Sequence, residues 1–373
     1  MQKIVLVSNT AWAFFKFRRN LIKFLIEKGF EVTLIAAPDE HVEGLENLGA
    51  TFVKLKHLES KGKSPFKDLR LLMELRKLYK TIKPDFLIHY TIKPNIYGSL
   101  IARRLNISSI AVVTGLGYTF INKGLIPFIA KILYKISFKA ATEVWFLNEE
   151  DKNLFIENKI VDTNKIFLLN GEGINCEEFN PVKLNHVKKS DGSISFILIA
   201  RMLYDKGVNE YVEAAKIVKS QYPAVSFNLL GYLNVENPSA VSEKQMKKWV
   251  DEGFVNYLGH TENVKPYILE NSCVVLPSYR EGMSMILMES AALGKPLIAT
   301  DIPGCKQLID DNITGFLCKP KDGKDLANKM LQMILLSDNA RQVMGQLGRH
   351  KMETEFDEKI TLQTYFERIQ QYL

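Results

Sequence analysis

The stretch CVVLPSYREGMSMILMESAALGKPLIAT, residues 273–300, decides the fold. It opens with an unbroken apolar run, CVVLPS (273–278), and closes with another, KPLIAT (295–300). Between them lies an apolar segment that reads as a helix. Strand, helix and strand in that order make a βαβ unit with a parallel sheet. Strands that are apolar throughout, rather than at alternate positions, suit a sheet covered on both faces. The stretch also carries two carboxylates. Glu281 precedes a Gly282-Met283-Ser284 turn, and Glu289 lies eight positions on, inside the helical run.

The same alternation fills the chain. KIVLVS (3–8), EVTLIAA (31–37), TFVKL (51–55), DFLIHY (85–90), SIAVVT (109–114), EVWFLN (143–148) and KIFLLN (165–170) are expected strands. Helix-like segments such as FKFRRNLIKFLIEKG and FKDLRLLMELRKLYKTI separate them. The polar, turn-rich NGEGINCEEFNPVKLNHVKKSDGS (170–193) interrupts the pattern, which restarts with SISFILIA (193–200) and VSFNLLG (225–231). The expectation is an α/β protein of two doubly wound domains facing across a cleft. The first takes residues 1–180, with a linker near 176–193, and the second residues 181–356. A last amphipathic helix over 357–373 returns to the first domain. Chemistry in such sheets gathers beyond the carboxyl ends of the strands.

The 373 residues suffice for two cores, and 46% hydrophobic with 24% charged residues is ordinary for a soluble globular protein. The opening KIVLVSN has no cationic lead, so a signal peptide is not expected. No uncharged apolar run reaches the roughly 18 residues of a spanning helix. Cys176, Cys273, Cys305 and Cys318 show no metal-ligand spacing and read as reduced, inert thiols of a cytoplasmic protein. The net charge of +7 is unevenly held. Residues 1–140 carry 23 Lys+Arg against 10 Asp+Glu, a local +13, whereas residues 181–373 carry 23 of each. That asymmetry suits an anionic membrane surface or polyanion, or simply a solvated basic face. No nucleic-acid recognition motif accompanies it.

Three loops of the second half hold the pointed chemistry. After strand 193–200, Arg201 and Lys206 stand five residues apart, a planar fork and a point charge suited to a diphosphate. After strand 273–278, the turn Gly282-Met283-Ser284 can present amide donors at a helix start. TDIPGC follows strand 295–300. Glu281 would then accept sugar hydroxyls and Glu289 the vicinal hydroxyls of a ribose. Taken singly, each has a plain alternative: Arg201 paired with Glu281, Lys206 solvated, Glu289 at a cleft edge.

The set ARMLYDKG, PSYREGMSMILMESAALGKP and TDIPGC resembles the retaining glycosyltransferases of family four, which have the GT-B fold of two Rossmann-like domains. The paired glutamates of that family match Glu281 and Glu289, and its diphosphate-binding arginine and lysine match Arg201 and Lys206. NLLGYL resembles its glycine-ended strand and adds Gly231 to the donor site. FLIHYTIKPNIYGSLIA, VVTGLGYTF and GYLNVENPSA resemble bacterial transferases that extend undecaprenyl-diphosphate-linked sugars. The resemblance implies a UDP-sugar as co-substrate, no cofactor or metal, Arg201, Lys206 and Glu281 as catalytic groups, and Met283 and Met285 shaping the sugar pocket. The rival on this architecture is a nucleotide-sugar 2-epimerase or hydrolase, and within transferases a soluble acceptor.

The first domain is expected to hold the polyprenyl-diphosphate-linked acceptor. Arg18, His89, Lys93, Asn95 and Gly117 are its candidate residues, although a strand-end histidine packed in place is the plainer reading of His89. NKGLIPFIAKILYKISFKA (122–140), with Lys131, Lys135 and Lys139 four apart, suits an anionic interface, helped by the lysine-rich 54–83 region. The alternative is a core helix with a solvated lysine face. Localisation would then be cytoplasmic and peripheral on the inner membrane face.

Overall fold

The computed structural model describes residues 1–58, 65–115, 125–184 and 194–373, so Gly117, the start of the 122–140 segment and much of the linker lie outside the described residues. The chain divides into two units, Met1–Glu172 with Lys359–Leu373, and Gly173–Glu358.

In the first unit seven strands form one parallel sheet. They are β1 (Lys3–Thr10), β2 (Glu31–Ala37), β3 (Thr51–Lys54), β4 (Phe86–Tyr90), β5 (Ser108–Val113), β6 (Glu143–Phe146) and β7 (Ile166–Leu168). Their order is β3-β2-β1-β4-β5-β6-β7, so the chain reverses direction of growth between β1 and β4. Side chains of β1 and β4 alternate between two cores, Leu6 and Ile88 on one face, Val7 and Leu87 on the other. A strand buried on both faces must be apolar at every position, which is why the sequence runs are continuous.

The second unit repeats the plan with β8 (Ser195–Ile199), β9 (Ser226–Leu230), β10 (Asn256–Tyr257), β11 (Cys273–Leu276), β12 (Leu297–Thr300) and β13 (Gly315–Cys318). The order β10-β9-β8-β11-β12-β13 places the reversal between β8 and β11. β10 and β13 were not among the expected strands. With two residues β10 is too short to show a period, and β13 opens on Gly315, a residue type depleted in strands. The four cysteines are free and buried, and burial raises the Cys176 and Cys318 thiols to about 12.

The segment FKFRRNLIKFLIEKG departs from one continuous helix. Helix Ala11–Phe17 stops at Arg18, whose φ is −132°, and a second helix, Arg19–Glu27, begins there. The break turns the Arg18 side chain inward. Its guanidinium lies 3.8 Å from the Tyr90 ring centroid and 2.8 Å from Glu172.

The last helix, Glu358–Gln371, packs against the first unit. Tyr365 and Ile369 are buried there; the Tyr365 ring lies 4.7 Å from that of Trp145, and the Tyr90 hydroxyl donates to the Tyr365 oxygen at 3.2 Å. Glu143 gathers the remaining polar contacts, accepting from Trp145 Nε1 at 2.6 Å and from the Tyr372 hydroxyl at 2.6 Å. Tyr365→Ala should therefore destabilise the first unit by about 3–5 kcal/mol, the usual cost of removing a buried aromatic ring. The check is urea unfolding of the full chain followed through tryptophan fluorescence, with Trp12 and Trp249 replaced by phenylalanine so that Trp145 alone reports.

Candidate active site

Chemistry-bearing side chains of the second unit collect where its strand order reverses. Beyond β8 the chain runs through Arg201 to a short turn, Tyr204–Lys206, and then to helix Val208–Lys219. Beyond β11 it runs through Pro277 and Ser278 to Tyr279, Arg280 and Glu281. The two loops are laced together: the Tyr279 N–H donates to Asp205 O at 2.9 Å, and the Ser278 hydroxyl donates to the same oxygen at 3.3 Å. Lys206 Nζ then reaches Glu281 Oε1 at 2.6 Å. Glu281 thus pairs with Lys206 rather than with Arg201. The Arg201 side chain is exposed and makes no hydrogen bond or ion pair among the described residues.

Glycines set the spacing. Gly207 has φ +72°, and a Cβ there would lie 2.0 Å from Pro277 O. Gly231, at the end of β9, has φ +145°, and its Cβ would meet Ala200 O at 1.8 Å. Both polar atoms of Gly231 are in use, its N–H donating to Gly259 O and its oxygen accepting from the Tyr257 hydroxyl. Its place in the site is that of a spacer beside Arg201.

The turn of residues 282–284 leads into helix Met285–Ala292, with Ser284 as its cap. The Ser284 N–H donates to Gly304 O at 3.0 Å, so it is not presented as an anion donor. Gly304 belongs to the TDIPGC loop, which thereby braces the turn from behind. Glu289 is buried on the same helix, among Leu287, Met288, Ala291 and Ala292.

Sequence reasoning missed Tyr279 and Glu210. The Tyr279 hydroxyl donates to Glu210 Oε1 at 2.7 Å while Lys321 Nζ stands 4.8 Å from the Tyr279 ring centre. Glu210 lies in helix Val208–Lys219, 69 residues before Tyr279, so no local pattern links the two. Tyr232, stacked on His260 at 4.2 Å, was missed because the two rings come from loops after different strands.

The acceptor candidates of the first unit fare differently. Arg18 is 4% exposed and committed to Glu172 and Tyr90. His89 is fully buried, with Nε2 2.9 Å from the Tyr79 hydroxyl and Nδ1 3.4 Å from Ser99 Oγ. Desolvation lowers its pKa to about 3, so the imidazole is neutral and packed. Asn95 is buried and donates to Val112 O at 2.8 Å. These three are core groups rather than an acceptor surface. Lys93 keeps partial exposure in a 2.8 Å pair with Asp68, and Gly117 lies outside the described residues. A residue not foreseen is Thr91, which bonds Asn9 across the ends of β4 and β1. Its φ of +68° is costly for a β-branched side chain. Asp39, Glu40 and His41, near the end of β2, are close enough to hold a metal, but Asp39 already accepts from the Trp12 and His41 amides.

Two Rossmann-like units of this kind, the second with its charged groups at the strand reversal, define the GT-B class. Residues 3–148 match the family described as glycosyl transferase 4-like, and residues 182–351 that described as glycosyl transferases group 1. The N,N'-diacetylbacillosaminyl-diphospho-undecaprenol alpha-1,3-N-acetylgalactosaminyltransferase of Campylobacter jejuni is 31% identical, over 97% of each chain. The UDP-Gal:alpha-D-GlcNAc-diphosphoundecaprenol alpha-1,3-galactosyltransferase of Escherichia coli is 25% identical, over 79% of this chain and 77% of that one. Among solved structures, a glycosyltransferase from Rickettsia africae superposes with a TM-score of 0.80 at 19% identity, covering 100% of this chain and 98% of its own. HepE from Anabaena, in complex with UDP, gives 0.80 at 15% identity over the whole of both chains. The chain belongs to the retaining glycosyltransferases of family four.

Two measurements test the site and its surroundings. Gly207→Ala should cost more stability than Gly253→Ala and also abolish turnover. Gly253 has nearly the same φ, +74°, but nothing within 4 Å of an added Cβ, so it carries only the backbone strain of about 1–2 kcal/mol. Thermal melts and turnover of the two variants separate strain from collision. The second concerns pH. Between the ordinary 6.5 and about 3, the unfolded chain protonates His89 while the folded one does not, so this group's stability is complete above 6.5 and lost as pH falls. His89→Gln should flatten that decline in urea midpoints measured from about pH 7 to about pH 4.

Proposed function

We propose that this enzyme transfers an N-acetylhexosamine, with retention, from a UDP-sugar to an undecaprenyl-diphosphate-linked saccharide in bacterial surface-polysaccharide or glycoprotein-glycan assembly. The observation that carries the reading is the Lys206–Glu281 contact at the strand reversal, with exposed Arg201 beside it on the loop after β8. Relatives named for diphospho-undecaprenol acceptors support the substrate class.

On this reading the donor diphosphate draws Lys206 away from Glu281 and binds between it and Arg201. The freed Glu281 carboxylate accepts hydroxyls of the donor sugar, and Glu289 those of the ribose. Gly282 and Met283 line the turn, and Gly231 lets β9 approach. As the bond from the anomeric carbon to the diphosphate oxygen breaks, the acceptor hydroxyl forms its bond on the same face. Its proton passes to the departing phosphate oxygen, leaving UDP. Arg201 and Lys206 stabilise the charge that develops there, so the balance needs no protein nucleophile and no metal. Acceptor contact falls to the loops after β1 and β4, around Asn9, Thr91 and Lys93. The +13 of residues 1–140 draws this unit to an anionic inner leaflet, where such an acceptor resides.

The test is a panel of UDP-sugars incubated with and without short-chain polyprenyl-diphosphate sugars, reading UDP release. Release that requires the lipid-linked acceptor and falls about 10²–10³-fold in Lys206→Ala and Glu281→Ala is the expected result. Release indifferent to acceptor would mean a hydrolase or epimerase, and the proposal would fail.

A further inference from the structure

Helices Pro65–Ile82 and Leu125–Ala140 cover one face of the first unit's sheet, where both pack on the largely buried segment 94–102. Their inward residues, Leu71, Leu75 and Tyr79 from one and Tyr134 and Phe138 from the other, join a single core. A surface helix ordinarily turns its polar residues outward. These two turn large apolar residues outward as well. Phe66 is 80% exposed, with Leu69 and Met73 exposed at the following helical intervals. Phe128 is 61% exposed, and Ile129, Ile132 and Ile136 continue its stripe.

The charges are sorted as well. Leu125–Ala140 contains three lysines and no acid. In Pro65–Ile82 both acids are engaged by neighbouring loops. Asp68 accepts from Lys93 and from the Tyr97 hydroxyl, each at 2.8 Å, and Glu74 accepts from the amides of Lys56 and His57. Arg70, Arg76, Lys77 and Lys80, with Lys135 and Lys139, remain exposed around the apolar stripes. No helix among the described residues is long and apolar enough to cross a membrane. Apolar side chains outward, exposed cations around them, and a length short of spanning is the composition of an interfacial element. The helices follow β3 and β5 and run back along the sheet, so Phe66 and Phe128 lie toward the end that carries Thr91 and Lys93.

We propose that these two helix faces insert together into the boundary between head groups and acyl chains of an anionic bilayer, anchoring the first unit with its acceptor loops at the head-group level. The inference rests on the lipid-linked acceptor reading and adds an apolar anchor to its electrostatic attraction. A purely electrostatic seat is screened by salt, whereas buried apolar side chains are not.

The experiment is co-sedimentation of the full chain with phosphatidylglycerol–phosphatidylethanolamine vesicles at low and high salt, for the wild type and for Leu69→Glu with Ile132→Glu. Both positions are solvent-facing, so the fold tolerates the change. The expected result is a salt-resistant bound fraction that falls about tenfold or more in the double variant. Transfer to an acceptor embedded in the vesicles should fall with it, while transfer to a short-chain acceptor in solution is unchanged. Wild-type binding that vanishes in high salt, or is indifferent to the two glutamates, overturns the apolar anchor and leaves the acceptor reading intact. Loss of short-chain transfer in the wild type overturns the acceptor reading itself. A dimer in solution that the double variant abolishes would assign the stripes to a second copy of the chain, and would also overturn the proposal.

Discussion

The contact between Lys206 and Glu281 joins the loops that follow β8 and β11, the two strands between which the second sheet reverses its order. Much around it serves to keep those loops at hydrogen-bond distance. Asp205 O takes two donors from the opposite loop. Gly207 lets the backbones cross where any Cβ would collide with Pro277. The TDIPGC loop braces the 281–284 turn through Gly304, whose own Cβ would fall 2.6 Å from Gly282 O. An ion pair held this way is a pair of charges with fixed positions and replaceable partners. It stays close to neutral until a ligand with more negative charge competes for the lysine.

The first unit solves the same geometric problem with different residues. Its reversal, between β1 and β4, is bridged by Asn9 and Thr91 rather than by opposite charges. The strong charge nearby, Arg18, is spent internally on Glu172 and the Tyr90 ring. Removing Glu172 would leave a buried guanidinium uncompensated, which costs far more than the pair contributes. The two units thus share a topology and differ in what they expose at its reversal, cations in one and neutral polar groups in the other.

How much of this was legible in the sequence follows from what each feature depends on. Parallel strands buried on both faces leave a long, local signature, so β1, β2, β4, β8 and β11 could be read within a residue or two of their ends. β10 and β13 are set by pairing with neighbours and left no period. The loops that carry Arg201, Lys206 and Glu281 could be placed because they directly follow such strands. The acceptor side was not: Arg18, His89 and Asn95 have the chemistry of binding residues, and only burial shows that they serve the core. Whether a polar side chain at a strand end points to solvent or inward is decided by partners far away in sequence, such as Tyr79 for His89 and Glu172 for Arg18. For 122–140 the sequence left an interfacial helix and a core helix both open, since an amphipathic pattern does not say which face meets the sheet.

The return of helix Glu358–Gln371 to the first unit carries a consequence for biosynthesis. Trp145 and Tyr90 meet their packing partner Tyr365 only after the whole of the second unit has been synthesised. The intervening unit takes roughly 10–40 s to synthesise at ordinary elongation speeds, during which the opening segment must wait with an apolar face uncovered. The first unit is therefore completed only after the second has been made, and that interval is one in which a chaperone can shield it.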